Sequence, residues 1–202
     1  MKKVFLALLV CLVFVGCEKH KPVVEEPKLN VEQLTNLDKQ NMFINHGGNY
    51  RWFETCIKMN NFLDEENDGS IEEVVNIFQI VINRSEHSFD TKVFKFQHFA
   101  DGTNVVDSVD GFWVEDQPMN QEAIKITFEE AYEKLMATNC PKPHSHYVTL
   151  RKQVGSVDAN PQYIFGNLYE DIFVDAVTGE VSETNPAFPE EKGFKMPLGE
   201  WP

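Results

Sequence analysis

The sequence predicts an α+β fold in which an antiparallel β-sheet carries a helix packed on one face. Residues 50–116 contain four segments dense in aromatic and β-branched residues, separated by turn signals. Residues 127–139, TFEEAYEKLMATN, have a helical pattern, and three further strand candidates follow it. With 12 % aromatic residues, including 16 Phe, the chain can bury a sizeable core. We therefore expect a folded protein and not a disordered one.

Residues 1–16 are typical of a secretory signal. Lys2 and Lys3 precede an uncharged, almost wholly apolar run, residues 4–16. That run is shorter than the about 17–25 residues of a membrane-spanning helix, and it fits a signal peptide better. The FVGC at its end resembles the lipobox of bacterial lipoproteins. This resemblance implies cleavage after Gly16 and lipidation of Cys17; an ordinary signal peptide with an incidental cysteine is the alternative.

Residues 17–30 predict a flexible tether, since they are charged, contain Pro22 and Pro27, and lack periodicity. Two or more acyl chains give stable attachment, so the membrane is an expected partner through lipid on Cys17. Glu18 follows the cysteine, where lipoproteins retained in the inner membrane have aspartate. The resemblance therefore implies the outer membrane, on either its periplasmic or its surface face.

The acidity of the chain limits its partners. The formal net charge is −14, and removal of residues 1–16 would take away two lysines and no acids, leaving about −16. Nucleic acid is not expected as a partner, because neutralising phosphates requires a basic face. Solubility is the simplest interpretation of the acidity.

Two cysteines remain once Cys11 leaves with the signal and Cys17 carries lipid. Cys56 and Cys140 would lie in an oxidising compartment. A disulfide between them would close a loop of about 85 residues and stabilise by roughly 4–5 kcal/mol. Two buried free thiols are equally compatible with the sequence.

The β-rich N-terminal region, residues 31–118, begins with a predicted helix. Asn30 and Gln33 fit the N-cap pattern, although the apolar spacing after them is poor, and the HGGN at 46–49 ends the helix or forms a turn. A four-stranded antiparallel meander follows, with an Asp-Gly hairpin signal before its last strand. Its strands are predicted at 50–63, 71–82, 91–99 and 105–116, with a helix as the alternative for 71–82.

The C-terminal half has clearer local signals. Thr127 and Glu130 have capping-box spacing before an amphipathic helix, and prolines stop that helix. Strands are predicted at 145–154, 162–166 and 171–181, and a Pro-rich tail at 185–202.

Residues 119–184 resemble the PepSY domain. The helix start matches the family at Thr127, Glu129, Glu130 and Ala131, and a middle strand matches at Tyr163. The last strand of the unit matches at Val174, Asp175, Ala176, Thr178, Gly179, Glu180 and Val181. The segment 139–146 is longer than the usual connection. Independently of the family, Gly179 and Asp175 suit a tight turn. The resemblance implies a non-enzymatic envelope module, proposed in that family to restrain peptidases.

No catalytic motif, cofactor motif or metal site is predicted. His144 and His146 would share one face of a strand but lack a third ligand. The acidic turn from Asp64 imitates a calcium loop, yet Val75 stands where the loop requires glutamate. Trp52, Trp113 and Trp201 could stack on sugars, although tryptophans of alternating strands usually lie in the core.

The sequence therefore predicts a non-catalytic lipoprotein that binds a macromolecular partner, with a peptidase as the candidate. The alternative is a glycan- or nutrient-binding accessory lipoprotein of the outer membrane, which would need exposed aromatic residues in a cleft. An exposed apolar strip on the sheet would favour a protein partner over a sugar.

Overall fold

The computed structural model describes residues 29–60, 69–84, 89–141, 145–155, 157–166 and 171–189. The helices are α1 (Val31–His46) and α2 (Phe128–Met136), and the strands are β1 (Tyr50–Met59), β2 (Ile71–Arg84), β3 (Phe89–Phe99), β4 (Asn104–Asp110), β5 (Asp116–Gln117), β6 (Tyr147–Gln153), β7 (Gln162–Gly166), β8 (Asp171–Asp175) and β9 (Val181–Ser182). Within these ranges the strands form one antiparallel sheet in the order β4-β3-β2-β1-β6-β7-β8-β9, with β5 beside β6. The predicted α+β class is confirmed.

Helix α1 has a buried face that is half polar. Asn30 caps it by accepting a hydrogen bond from the amide of Gln33 (2.8 Å), and Gly47, with φ 63°, ends it, so both predicted boundaries are confirmed. The buried residues recur at helical spacing and are Val31, Thr35, Asp38 and Met42. Because two of the four are polar, the apolar residues alone give a poor helical pattern.

Strands β1 to β4 form the predicted meander, each pairing antiparallel with the next. Gly102, with φ 83°, lies in the turn between β3 and β4, and the side chain of Asp101 accepts a hydrogen bond from the amide of Thr103 (2.9 Å). The hairpin signal is thus confirmed. Residues 71–82 lie in β2, so the helical alternative for them is wrong.

The last strand of the meander is shorter than the sequence predicts. It ends at Asp110 and does not continue to residue 116. After Gly111 the chain crosses what we call the open face, which is the face of the sheet away from the helices. There, Trp113 packs against a small apolar cluster of Val75, Ile77 and Val93. The prediction failed because Trp113 packs on the face of the sheet instead of extending its edge, while its neighbours Phe112 and Val114 stay exposed.

Strand β1 pairs with β6 only as far as Arg151, and the two-residue strand β5 pairs with the next two residues of β6. Asp116 pairs with Gln153 of β6, and Met119 forms a bridge with Trp52 of β1. A 3₁₀ turn at Gln121–Ala123 then leads towards α2. This segment therefore contacts both halves of the sheet.

Helix α2 begins with the predicted capping box. The Thr127 hydroxyl accepts from the amide of Glu130 (3.2 Å), and the Glu130 carboxylate accepts from the amide of Thr127 (2.9 Å). The buried face of α2 packs on the sheet, where the ring of Phe128 stacks on that of Phe165 with centroids 6.3 Å apart. The amphipathic helix expected from the sequence is therefore present, although it ends at Met136.

The VDAVTGEV segment forms the tight turn expected from Asp175 and Gly179, and it joins β8 to β9, so the single strand predicted over 171–181 is wrong beyond Asp175. Asp175 Oδ1 accepts from the amides of Val177 and Thr178, both at 2.8 Å. Gly179 takes a φ of 75°. Local side-chain and backbone chemistry sets the shape of the turn, and more distant residues hold it in place, since Asn160 Nδ2 donates to Asp175 Oδ2 (2.9 Å) and the amide of Lys125 donates to the carbonyl of Ala176 (2.8 Å).

The two halves of the sequence share one sheet and one core. Strand β1 pairs with β6, so residues 31–118 and 119–184 join edge to edge. Both helices pack on the same face, where the fully buried side chains include Phe78, Phe128, Tyr163 and Phe165. Burial of each such side chain contributes roughly 1.5–3 kcal/mol.

Several predicted features lie outside the described residues: the signal peptide (1–16), Cys17, the tether to residue 28, the acidic turn at 61–68, His144, and the tail from residue 190 with Trp201. In the described part of the tail, Ala187 is buried and its carbonyl accepts from the amide of Val157 (3.3 Å). Neither of the two described helices is long and apolar enough to cross a bilayer.

Candidate functional site

Strand β4 is an exposed edge of the sheet. All seven of its residues are exposed, and among the described residues it has a neighbouring strand on one side only. Val105, Val106 and Val109 are 51 %, 58 % and 64 % exposed. An edge of this kind is a template on which another chain can add a strand. The opposite edge, β9, is only two residues long.

The backbone of β4 offers hydrogen bonds to one side. The register with β3, together with the bond from Gly111 N to Thr91 O (3.0 Å), fixes which residue pairs exchange bonds with β3. Along an antiparallel strand, residues that bond the neighbouring strand alternate with residues whose backbone groups point away from it. The amides of Val106 and Ser108 therefore point away from β3. The Ser108 amide donates to Asp107 Oδ1 (2.7 Å), whereas no bond to Val106 N is seen in the described chain. We define the edge surface as β4 with its outward backbone groups.

Two acidic side chains meet on the open face beneath Trp113. Glu54 of β1 and Asp116 of β5 are 7 % and 5 % exposed. Trp113 Nε1 donates to Asp116 Oδ2 (3.1 Å), and Arg151 Nη1 lies 3.5 Å from Asp116 Oδ1. Burial, and secondarily Asp116, raise the pKa of Glu54 to about 7. The carboxyl pair therefore holds a proton up to about neutral pH.

The thiol of Cys56 belongs to the same group. Its sulfur donates to Glu54 Oε1 (2.7 Å), and burial followed by the nearby Glu54 raise the pKa of Cys56 to about 12. A thiol that stays protonated at neutral pH is a poor nucleophile. In the described part of the chain, three buried atoms nearby have no hydrogen-bond partner: Asp116 Oδ1, Arg151 Nε and Gln153 Oε1. The group can store a proton, but both acids are too buried to meet a substrate.

A second buried polar network joins α1 to the meander. His98 Nε2 lies 2.9 Å from Asp38 Oδ2, and Asn76 Nδ2 donates to the same oxygen (2.8 Å). Asn76 Oδ1 accepts from the hydroxyls of Thr35 (3.1 Å) and Thr55 (2.5 Å). All five side chains are less than 10 % exposed. A satisfied network of this kind fixes the position of α1 over β1, β2 and β3.

A cavity of about 150 Å³ lies where the two helices approach each other, with Glu32, Thr35 and Tyr163 among its lining residues. Glu32 Oε1 accepts from the amide of Phe128 at the start of α2 (3.0 Å). Burial raises the pKa of Glu32, while the positive end of α2 favours its ionised form. The hydroxyl of Tyr163 donates to the carbonyl of Ile126 (3.0 Å). The first contact joins α1 to the start of α2, and the second joins β7 to the segment just before α2.

The two cysteines that could form a disulfide are free thiols in this structure. Cys56 packs with the open-face cluster, whereas Cys140 packs against the core on the helix-bearing face. The sheet lies between them, which favours the alternative of two separate thiols.

The structure buries one of the three tryptophans that could stack on sugars and half-buries a second. Trp52 is 4 % exposed, and its Nε1 donates to the carbonyl of Glu54 (3.2 Å). Trp113 is half-buried on the open face. His146 lies near the carbonyl of Met59 (3.4 Å). Among the described residues, no group of three or more His, Cys, Asp or Glu side chains is arranged to hold a metal.

Sequence reasoning missed the carboxyl pair. Glu54 lies in an alternating strand, where a polar residue is expected to face solvent, and Asp116 lies in the segment predicted as the end of a strand. They come together only because the chain after β4 crosses the open face and brings Asp116 beside Glu54. The exposed valines of β4 were visible in the sequence, but their position at an edge was not.

Comparison with protein-family models, with curated proteins and with solved structures finds no match to this chain.

Proposed function

We propose that this chain is a non-catalytic, lipid-anchored protein of the cell envelope that binds an extended segment of a partner protein along β4. The observation that carries the proposal is the edge surface, with three exposed valines and the outward amide of Val106, which donates to none of the residues that the structure describes. Addition of a strand would satisfy that amide and cover the valines. A peptidase that the chain restrains is the partner we favour.

The charge of the edge surface selects the chemistry of that segment. Asp107 and Asp110 lie on β4, and the whole chain is acidic. Lys92 approaches Asp110 at 3.5 Å, but Asp110 stays 86 % exposed. A partner strand with Lys or Arg would meet these acids, and a cation opposite Asp107 would free the amide of Ser108 for the partner. We therefore infer a basic extended segment.

The chemistry of the buried groups supports a non-catalytic role. Cys56 has the pKa of an inert thiol, and both His98 and Asp38 lie in the core. The order of α2, β6, β7, β8 and the turn to β9 supports the proposal that residues 119–184 are a PepSY-like unit. Strand β4 lies outside that unit, so the family's proposed role in restraining peptidases supports the choice of partner and not the choice of docking edge.

Edge protection is the competing interpretation of Asp107, because acids on edge strands prevent unwanted pairing. A proline at position 106 distinguishes the two. Val106→Pro removes an outward amide and leaves the bonds to β3 intact, and edge strands tolerate proline at such positions. Val106→Thr keeps the amide and the β-branched shape, so it is the matched control.

The experiment measures binding of short extended peptides rich in Thr and Lys by fluorescence anisotropy, together with inhibition of the peptidase activity of an envelope extract. We expect the wild type and Val106→Thr to bind the basic peptides and to reduce peptidase activity in a dose-dependent way. Val106→Pro should weaken both by about tenfold or more. Equal binding of peptides with Glu in place of Lys, or an unchanged Val106→Pro, would refute the docking mode.

A further inference from the structure

A groove of about 420 Å³ lies between α1, the start of β1 and the 3₁₀ turn. Phe43, Ile44 and Tyr50 give it apolar surface, and Asn36 and Gln121 contribute amides. Among its described lining residues, Lys39 is the one that can carry a positive charge. Grooves of roughly 300–1,000 Å³ suit small organic ligands.

Lys39 is fixed in this groove by two contacts. Its Nζ lies 3.8 Å from the centre of the Trp52 ring and donates to Gln121 Oε1 (2.6 Å). Gln121 is held in turn, since its Nε2 donates to Asn36 Oδ1 (2.5 Å). The ion pairs of the described chain do not include Lys39. An ammonium has three donors, so this amine keeps spare hydrogen-bonding capacity, and no described residue provides it with a counter-ion.

Burial lowers the pKa of Lys39 to about 7, and no charged neighbour contributes to that shift. The groups that contact the amine from the packed elements are the Trp52 ring of β1 and the Gln121 amide of the 3₁₀ turn. Near neutral pH the amine is therefore about half protonated. An anion placed beside it would favour the charged form.

We propose that this groove binds a small organic acid whose carboxylate pairs with Lys39 and whose apolar part covers Phe43 and Ile44. The missing counter-ion argues for the carboxylate. Phe43 and Ile44 are 62 % and 77 % exposed, which argues for an apolar group beside it. The amides of Asn36 and Gln121 could bond a peptide group, so an acylated amino acid or a peptide C-terminus fits as well as a fatty acid. This site is independent of the β4 edge.

The test is titration calorimetry of the full chain with N-acetyl-phenylalanine, with its neutral amide, and with octanoate, in buffers of different ionisation enthalpy. We expect the acids to bind and the amide to bind at least tenfold more weakly. Binding of an acid should take up close to one proton at pH 8, and affinity should fall roughly tenfold for each pH unit above 7. Tighter binding of octanoate would assign the site to fatty acids, and the reverse order to acylated amino acids or peptide ends.

Lys39→Met keeps an unbranched side chain beside Trp52 and removes the amine, so it should abolish both acid binding and proton uptake. Lys125→Met removes the same charge from the nearby segment and should change neither. Thermal unfolding of each variant checks that it folds. Equal affinity for acid and amide in the wild type, or acid binding without proton uptake at pH 8, would overturn the proposal even if Lys39→Met failed to fold.

Discussion

Replacing Glu54 with Gln should remove most of the loss of stability that we expect as pH rises from 5 to 8. Burial holds the pKa of Glu54 at about 7, against an ordinary value of 4.5. The folded protein therefore binds the proton more tightly than the unfolded chain does. The stabilising contribution of the protonated side chain is fully present below about pH 4.5 and is lost as pH rises through about 7.

The expected size follows from the shift. Each pKa unit corresponds to about 1.36 kcal/mol, so a rise from 4.5 to about 7 corresponds to about 3 kcal/mol. The glutamine side chain of the Glu54→Gln variant would be neutral at every pH. It could still accept from the thiol of Cys56 and donate to Asp116, so the two proteins should be about equally stable near pH 5. At pH 8 the variant should be the more stable by up to about 3 kcal/mol.

The assay is urea unfolding at pH 5, 6, 7 and 8, followed by tryptophan fluorescence, because Trp113 lies directly on the carboxyl pair. Glu115→Gln makes the same chemical change at an exposed position one residue from Asp116. Its free energy of unfolding should change with pH as that of the wild type does. If the free-energy difference between Glu54→Gln and wild type stays constant from pH 5 to pH 8, the raised pKa is wrong.

Two further predictions test the anchor and the interior. In the native host, Cys17→Ser should abolish incorporation of a labelled fatty acid and release the protein from the membrane fraction. The control variant Cys56→Ser should remain labelled. A labelled Cys17→Ser protein would exclude this anchor. Asn76→Ala leaves the buried Asp38 without an amide donor and two threonine hydroxyls without an acceptor, so it should lower the free energy of unfolding by about 3 kcal/mol or more. The exposed Asn104→Ala should change it by less than about 0.5 kcal/mol, and a similar value for Asn76→Ala would contradict the assigned network.

Most of the secondary structure was predictable because its signals are local. The capping box at Thr127, the Asp101–Gly102 turn and the turn after Asp175 each depend on atoms within a few residues of one another. The end of β4 was not predictable in this way. Phe112, Trp113 and Val114 have the composition of a strand, and only the presence of an apolar cluster on the open face draws Trp113 across it.

The candidate sites could not be predicted from the sequence because they, too, form through contacts between distant segments. Lys39 and Glu54 are ordinary charged residues in the sequence, and their pKa values shift because distant segments cover them: the 3₁₀ turn and Trp52 in one case, and Asp116 in the other. Val106 is one of several valines until β4 is placed at the edge of the sheet.

By itself the sequence determined the order of the two helices and the longer strands, their main caps and turns, the acidity of the chain and the prediction of a lipid anchor at Cys17. The tertiary structure alone decided that β1 pairs with β6 to make one sheet, that β4 remains an edge, and which charged groups lose water. The physical reason is that hydrogen bonds within a turn act over a few residues. Desolvation, in contrast, depends on which remote part of the chain packs above a side chain.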